Sequence, residues 1–139
     1  MQKFPKPNCL GKDSKINLKF KKDKLIADCD RIISLIVRKR DGYICQRCGD
    51  KKKQKDHAHF IGRTKWFIRW DAGNGLTLCR DCHQYLDNVN RPEFTDLMID
   101  KFGQIHVNKL HLKKFNQIKL NHVSLIEIKA GLEKELKEL

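Results

Sequence analysis

Two Cys-x-x-Cys pairs, Cys45-Gln-Arg-Cys48 and Cys79-Arg-Asp-Cys82, constrain this chain more than any other feature. Paired knuckles facing each other across a gap supply the four sulfurs of a tetrahedral structural zinc site, which leaves no coordination position open. Such an ion closes a long loop, so folding is expected to depend on it. Of the six cysteines, only Cys9 and Cys29 stand alone. That grouping suits metal ligation in a reducing compartment better than a disulfide framework. Nitrogen and oxygen donors, Asp56, His57, His59, Asn74 and His83, lie inside the loop or directly after its last cysteine. The cysteines therefore read as scaffold and this second set as chemistry.

A formal net charge of +13 on 139 residues favours a polyanionic partner. Nucleic acid leads, and an anionic membrane surface follows. No apolar run approaches the roughly 18 residues of a spanning helix, and the first residues carry no signal-peptide apolar region. The expected compartment is the cytoplasm, with no membrane partner.

Residues 1–21, rich in Lys and interrupted by Pro5, Pro7 and Gly11, read as an extended basic arm, either solvated or tracking phosphates. Apolar residues at helical spacing, Leu25, Ile26, Cys29, Ile32, Ile33 and Ile36, predict a helix over 22–40, stopped by Asp41-Gly42. A strand is predicted over Lys55–Ile61, then a long loop, a turn at Asn74-Gly75, a short strand over Leu76–Leu78, and a helix from Arg80 through Leu86. Strand alternation puts His57 and His59 on one side and Asp56 and Ala58 on the other. Pro92 opens a helix whose stripe is Phe94, Leu97, Met98 and Phe102. Further helices follow over 107–119, with His106 and His111 exposed, and from a capping box at Ser124 to Leu139. The fold class is α+β: a core over 22–103 holding the finger and its preceding helix, with a C-terminal helical extension over 104–139.

Within the basic stretches, Lys52, Lys53, Arg63, Lys65 and Arg69 are the candidate nucleic-acid contacts, Arg63 and Arg69 because a guanidinium fork matches phosphate oxygens. Trp66, Phe67 and Trp70 either stack on bases or, the preferred reading, plug the small core under the loop.

Cys45-x-x-Cys48, His59, Asn74 and Cys79-x-x-Cys82-His83 resemble the HNH endonucleases of the ββα-metal class. Ala58-His59-Phe60-Ile61-Gly62-Arg63, Arg69-Trp70-Asp71-x-x-Asn74 and Leu78-Cys79-x-x-Cys82-His83 are similar, more narrowly, to bacteriophage NinG/Rap-type recombination nucleases. The resemblance implies a small ββα-metal finger held by a four-cysteine zinc site and cleavage of DNA phosphodiester bonds to 5′-phosphate and 3′-OH ends. It makes His59 the general base, Asn74 the partner that orients it, and His83 a ligand of a catalytic Mg²⁺ or Mn²⁺. Where many relatives carry Asp or His just before the base, this chain has Ala58, so the second ligand falls to Asp56, His57 or Asp71. Alternation favours His57; oxygen hardness favours Asp56. The expected partner is DNA, including branched recombination intermediates. Two cuts at a junction would call for a homodimer, and the acidic last helix offers a surface to phage or host recombination proteins. The alternative is a zinc-stabilised nucleic-acid-binding module without catalysis.

Overall fold

The helix α1 (Leu10–Arg40) runs for 31 residues, about 46 Å at the α-helical rise of about 1.5 Å per residue, and the two strands and the last helix pack against it. The computed structural model describes residues 10–116 and 119–139. The expected division between an extended arm and a helix beginning at Lys22 is thus corrected for residues 10–21, which are helical; residues 1–9 lie outside the described residues. Both prolines precede Leu10, and the lysines that follow lose little rotamer freedom in a helix. Lys15, Lys19, Lys21 and Lys24 point into solvent.

The first helix ends as its sequence implies, with Arg38, Lys39 and Arg40 in the last turn and Gly42 at a φ of 63°, where glycine meets no Cβ penalty. Strand β1 (Lys55–His59) then pairs antiparallel with β2 (Gly75–Cys79), in a register that sets His59 opposite Gly75 and Lys55 opposite Cys79. Between them lie a single-turn helix, α2 (Trp66–Arg69), and a short 3₁₀ turn over Ala72–Asn74. Helix α3 (Arg80–Asn88) follows β2 without a break. Next come α4 (Arg91–Phe102), capped by Asn90, and α5 (Gln104–Lys113). Last is α6 (His122–Glu138).

Two hydrophobic clusters result. One joins the sheet to α3, α4 and α5 through Ala58, Phe60, Leu76, Leu78, Leu86, Phe94, Met98, Val107 and Leu110. The other joins α1 to α6 through Cys29, Ile32, Ile33, Ile36, Leu125 and Leu132, and it also takes Trp70 from the loop. Lys22 reaches the Leu120 carbonyl at 3.3 Å and Lys129 reaches Asp28 at 3.1 Å. Both contacts advance in the same direction, so α1 and α6 run parallel. Residues 104–139 therefore complete both clusters rather than extend from a finished domain.

Three local expectations change. The cap of α6 is Asn121, whose side chain accepts the Ser124 N–H at 2.8 Å; Ser124 itself sits inside the first turn. The helix expected over 107–119 begins earlier and ends at Lys113. His106 is packed on Phe102 and donates to the Gly73 carbonyl at 2.7 Å, because α5 lies along the loop instead of in solvent.

Arg40 and Asp41 lock α1 to the sheet. The Asp41 side chain is fully buried and pairs with Arg40 at 2.7 Å and Lys101 at 2.8 Å, and it accepts the Thr77 N–H at 2.9 Å. Arg40 also donates to the carbonyls of Ala72 and Gly75. Burial raises the Asp41 carboxyl, but Arg40, Lys101 and the Thr77 N–H outweigh it and hold its pKa below the usual 3.8. Asp41→Ala should destabilise the fold by about 1–3 kcal/mol, because it leaves the buried Thr77 N–H without its acceptor and the half-buried Arg40 without its counter-charge, and a thermal melt would read this as a drop in Tm. The sign for pH follows: with the folded pKa depressed, the stabilisation is complete above the unfolded value and is lost as pH falls through the folded one.

Candidate functional site

The four cysteine sulfurs, Cys45, Cys48, Cys79 and Cys82, lie within 4.8 Å of one another. Zinc–sulfur bonds of about 2.3 Å in a tetrahedron put sulfurs about 3.8 Å apart; Cys48 and Cys79 are separated by 3.8 Å. Gly49, at a φ of 75°, makes the turn after the first knuckle in the left-handed region that glycine enters freely. Burial raises the Cys45 thiol, yet the backbone N–H groups of Cys48, Cys79 and Arg47 bring it down to about 7. Burial and the sulfurs of Cys79 and Cys48 push the Cys82 thiol up to about 12, against the pull of Arg47. Four crowded sulfurs cannot all ionise alone, and a thiophilic cation such as zinc supplies what would offset them. Arg47 buttresses the cluster, donating to the Cys82 sulfur at 3.6 Å while stacked on Tyr85 and paired with Glu93.

Beside this cluster a cleft of about 700 Å³ is lined by His57, His59 and Asp56 of β1, His83 and Asp87 of α3, and the cations Arg38, Arg63 and Arg80. Residues 59 and 83 thus open onto one space. The His59 Nε2–H donates to the Arg69 carbonyl at 3.0 Å, which leaves Nδ1 to accept a proton. Burial, helped by Arg63, lowers the His59 pKa below 6.5, while the Arg69 carbonyl and Asp30 act in the other direction. The shift favours the neutral ring, the form a general base requires.

Asn74 does not touch that ring. Fully buried, it accepts the Ile61 N–H at 2.9 Å and donates to the carbonyls of Ile61 at 2.9 Å and Ile68 at 3.2 Å. The expected direct contact with His59 is corrected accordingly: Asn74 ties the two ends of the loop together, and the Arg69 carbonyl next to Ile68 meets the imidazole. Asn74→Ala would leave the Ile61 N–H and C=O without their partner, while the Ile68 carbonyl keeps the Asp71 and Trp70 N–H groups, at a cost of about 1–3 kcal/mol. Differential scanning calorimetry should show the loss.

Alternation works as expected along β1. Asp56 turns toward α3, where its carboxylate takes His83 Nδ1 at 3.1 Å and Arg80 Nε at 2.8 Å. The other ring nitrogen of His83 lies 3.1 Å from Asp87. Burial raises the Asp56 carboxyl, but His83 and Arg80 prevail and its pKa is lowered. His57 instead stacks on His59, with ring centroids 4.1 Å apart. Its Nε2 is buried without a partner among the described residues and lies over Gly75, where a Cβ would come within 2.6 Å of it. Burial, with His59 beside it, brings the His57 pKa down to about 3. The fold thus brings Asp56 and His83 together and leaves His57 out. Asp71 is occupied elsewhere, accepting the Gly73 N–H at 2.8 Å and pairing with Lys113 at 3.4 Å. Asp87 belongs to no motif in the sequence, although its i+4 spacing from His83 puts both on one helix face and could have marked it.

The cationic candidates divide. Lys52, Arg63 and Lys65 are exposed, and Lys53 is exposed in a pair with Asp81. Arg69 is corrected: its guanidinium makes a bidentate pair with Asp30, at 2.8 and 2.6 Å, and is committed inside the protein. Trp70 is buried with its Nε1–H on Asp30, and Trp66 packs on Trp70, so the tryptophans plug the core. The Phe67 side chain lies outside the described residues. Arg38, one of the cations at the end of α1 that suit either a helix C-terminus or a phosphate, lines the cleft, as does Arg80, which no motif had singled out.

Among the described residues, no helix is long and apolar enough to cross a membrane. Comparison with protein-family models, curated proteins and solved structures finds no match for this chain.

Proposed function

We propose that this chain is a metal-dependent DNA endonuclease of the HNH, ββα-metal type, with a structural zinc in the four-cysteine cluster. The observation that carries the reading is the placement of His59, its Nε2–H donated away and its Nδ1 left as acceptor, in the same cleft as the Asp56–His83 pair. One carboxylate oxygen and one imidazole nitrogen suit Mg²⁺ or Mn²⁺, which are bound by few protein ligands and keep several waters. Asp87 lies close enough to His83 to act from its other side. Arg80 now occupies Asp56 but is largely exposed, so it can swing away when an ion enters.

His59 takes the proton from a water that attacks phosphorus, the P–O3′ bond breaks, and the leaving 3′ oxygen takes a proton from solvent, so that 5′-phosphate and 3′-OH ends result. A divalent ion, when bound, neutralises the charge that builds on the phosphate and the leaving 3′ oxygen. Arg38 and Arg63 place positive charge beside the histidines, suited to holding a backbone phosphate. The net charge of +13 would bring DNA to the cleft and make binding salt-sensitive. The biological role that fits best is phage recombination or the processing of branched DNA.

A panel of branched and linear DNAs with Mg²⁺ and Mn²⁺ tests this directly. Cleavage that EDTA stops, leaving ligatable 5′-phosphate ends, is the expected result. Salt-sensitive binding with no product under any divalent ion would leave only the zinc-stabilised binding module.

A further inference from the structure

The tautomer of His59 is set by whatever acceptor meets its Nε2, and that acceptor is one backbone oxygen in a loop without regular strand pairing. The Arg69 carbonyl stays 3.0 Å from the ring only while residues 68–70 are held. Asn74 holds Ile68 from one side. Beyond the backbone hydrogen bonds of Ile68 and Arg69 to the Lys65 carbonyl, a further restraint comes from α1, outside the strand-loop-strand-helix unit. Asp30 accepts Arg69 Nε at 2.8 Å, Arg69 Nη2 at 2.6 Å and Trp70 Nε1 at 2.8 Å. The guanidinium also sits over the rings of Trp66 and Trp70, at 4.8 and 5.6 Å from their centroids. The Arg69 side chain is only 13% exposed. A fork this enclosed, bonded to a carboxylate at two points, is both strong and directional.

We infer that Asp30 is a positioning residue for His59: by anchoring the side chains of Arg69 and Trp70 it holds the Arg69 carbonyl where it must be to keep the His59 proton on Nε2. Without Asp30, Arg69 becomes a nearly buried cation with no counter-charge, and it moves toward water. The carbonyl on the same residue goes with it. His59 then loses its acceptor, the proton redistributes between the ring nitrogens, and the fraction of molecules with a vacant Nδ1 falls. This inference rests on the nuclease reading for its catalytic consequence, whereas the tautomer itself is measurable without any activity.

The test uses the zinc-loaded full chain labelled with ¹⁵N-histidine. Long-range ¹H–¹⁵N spectra of the wild type should show His59 with a protonated-type Nε2 and an unprotonated-type Nδ1. In Asp30→Ala the two nitrogen shifts should converge. On the branched or linear DNA that the wild type cleaves, kcat should fall roughly tenfold to a hundredfold, the size expected when a catalytic group is misplaced by about 1 Å, with KM within about twofold. Asp30→Asn, which keeps an acceptor oxygen but no charge, should lie between; if Asp30→Ala loses its zinc, the same spectra are read on Asp30→Asn. Asp30→Ala combined with Arg69→Ala should be no worse than either alone, since both break one chain of contacts. A folded, zinc-loaded Asp30 variant with a wild-type His59 spectrum overturns the inference. A wild type that cuts nothing, while the Asp30 variants still shift the tautomer, refutes the nuclease reading and leaves Asp30 in its role.

Discussion

Cys48→Ser, or exhaustive chelation of the wild type, should unfold the strand-loop-strand-helix unit instead of merely loosening it. Apparent binding free energies of structural zinc at neutral pH, about 10–16 kcal/mol, match or exceed the total stability of a small domain, about 5–15 kcal/mol. Here the cysteines that could hold the ion are also core: Cys45, Cys79 and Cys82 are buried within the cluster that carries Phe60, Leu78 and Leu86. Loss of the ion leaves a buried thiol at Cys82 with its pKa pushed up to about 12, close-packed against three more, with nothing to tie residues 45–48 to residues 79–82. Cys48 is the informative choice because it is exposed. Serine meets no packing barrier there, so the effect isolates ligation. Metal content, far-UV circular dichroism and Tm should fall together. A Cys48→Ser protein that melts like the wild type without bound metal would reject the scaffold role.

His59→Ala should abolish DNA cleavage, a loss of about 10²–10⁴-fold for removal of a general base, while metal content stays unchanged and Tm nearly so. The ring is only partly buried, and its Nε2–H bonds a carbonyl that α1 and Asn74 hold in any case. The wild-type pH profile provides a second reading of the same residue. With the His59 pKa below 6.5, the active neutral form persists to lower pH than for a free imidazole. The acid limb of kcat/KM should therefore have its midpoint below 6.5, and activity is lost as pH falls further. A His59→Ala protein that cuts at the wild-type rate would remove His59 from the mechanism.

Local chemistry was readable in the chain. Cysteine spacing made the knuckles, alternation separated Asp56 from His57, and the helical recurrence of Ile32, Ile33 and Ile36 marked the buried face of α1. Gly42 and Gly49 stand at the turns where a left-handed backbone was needed. Expectations failed where a residue type admits two contexts. Lys-rich residues 10–21 suit a solvated arm and a helix equally, and only the absence of proline between Leu10 and Arg40 tips the balance. His106 was expected in solvent because nothing near it in the chain reveals that α5 lies along the loop.

What the sequence determined by itself was the short-range part: which residues can ligate a metal, which alternate across a strand, and where helices must stop, all set by spacings of a few residues. Partnership was decided only by the tertiary structure. Arg69 is drawn as a phosphate fork by its chemistry, yet Asp30, 39 positions earlier, takes it; Asn74 serves Ile61 and Ile68 instead of the histidine it was expected to orient. Side chains with several donors bond whichever acceptor packing brings within about 3 Å, and that choice was made when α1 closed over the loop.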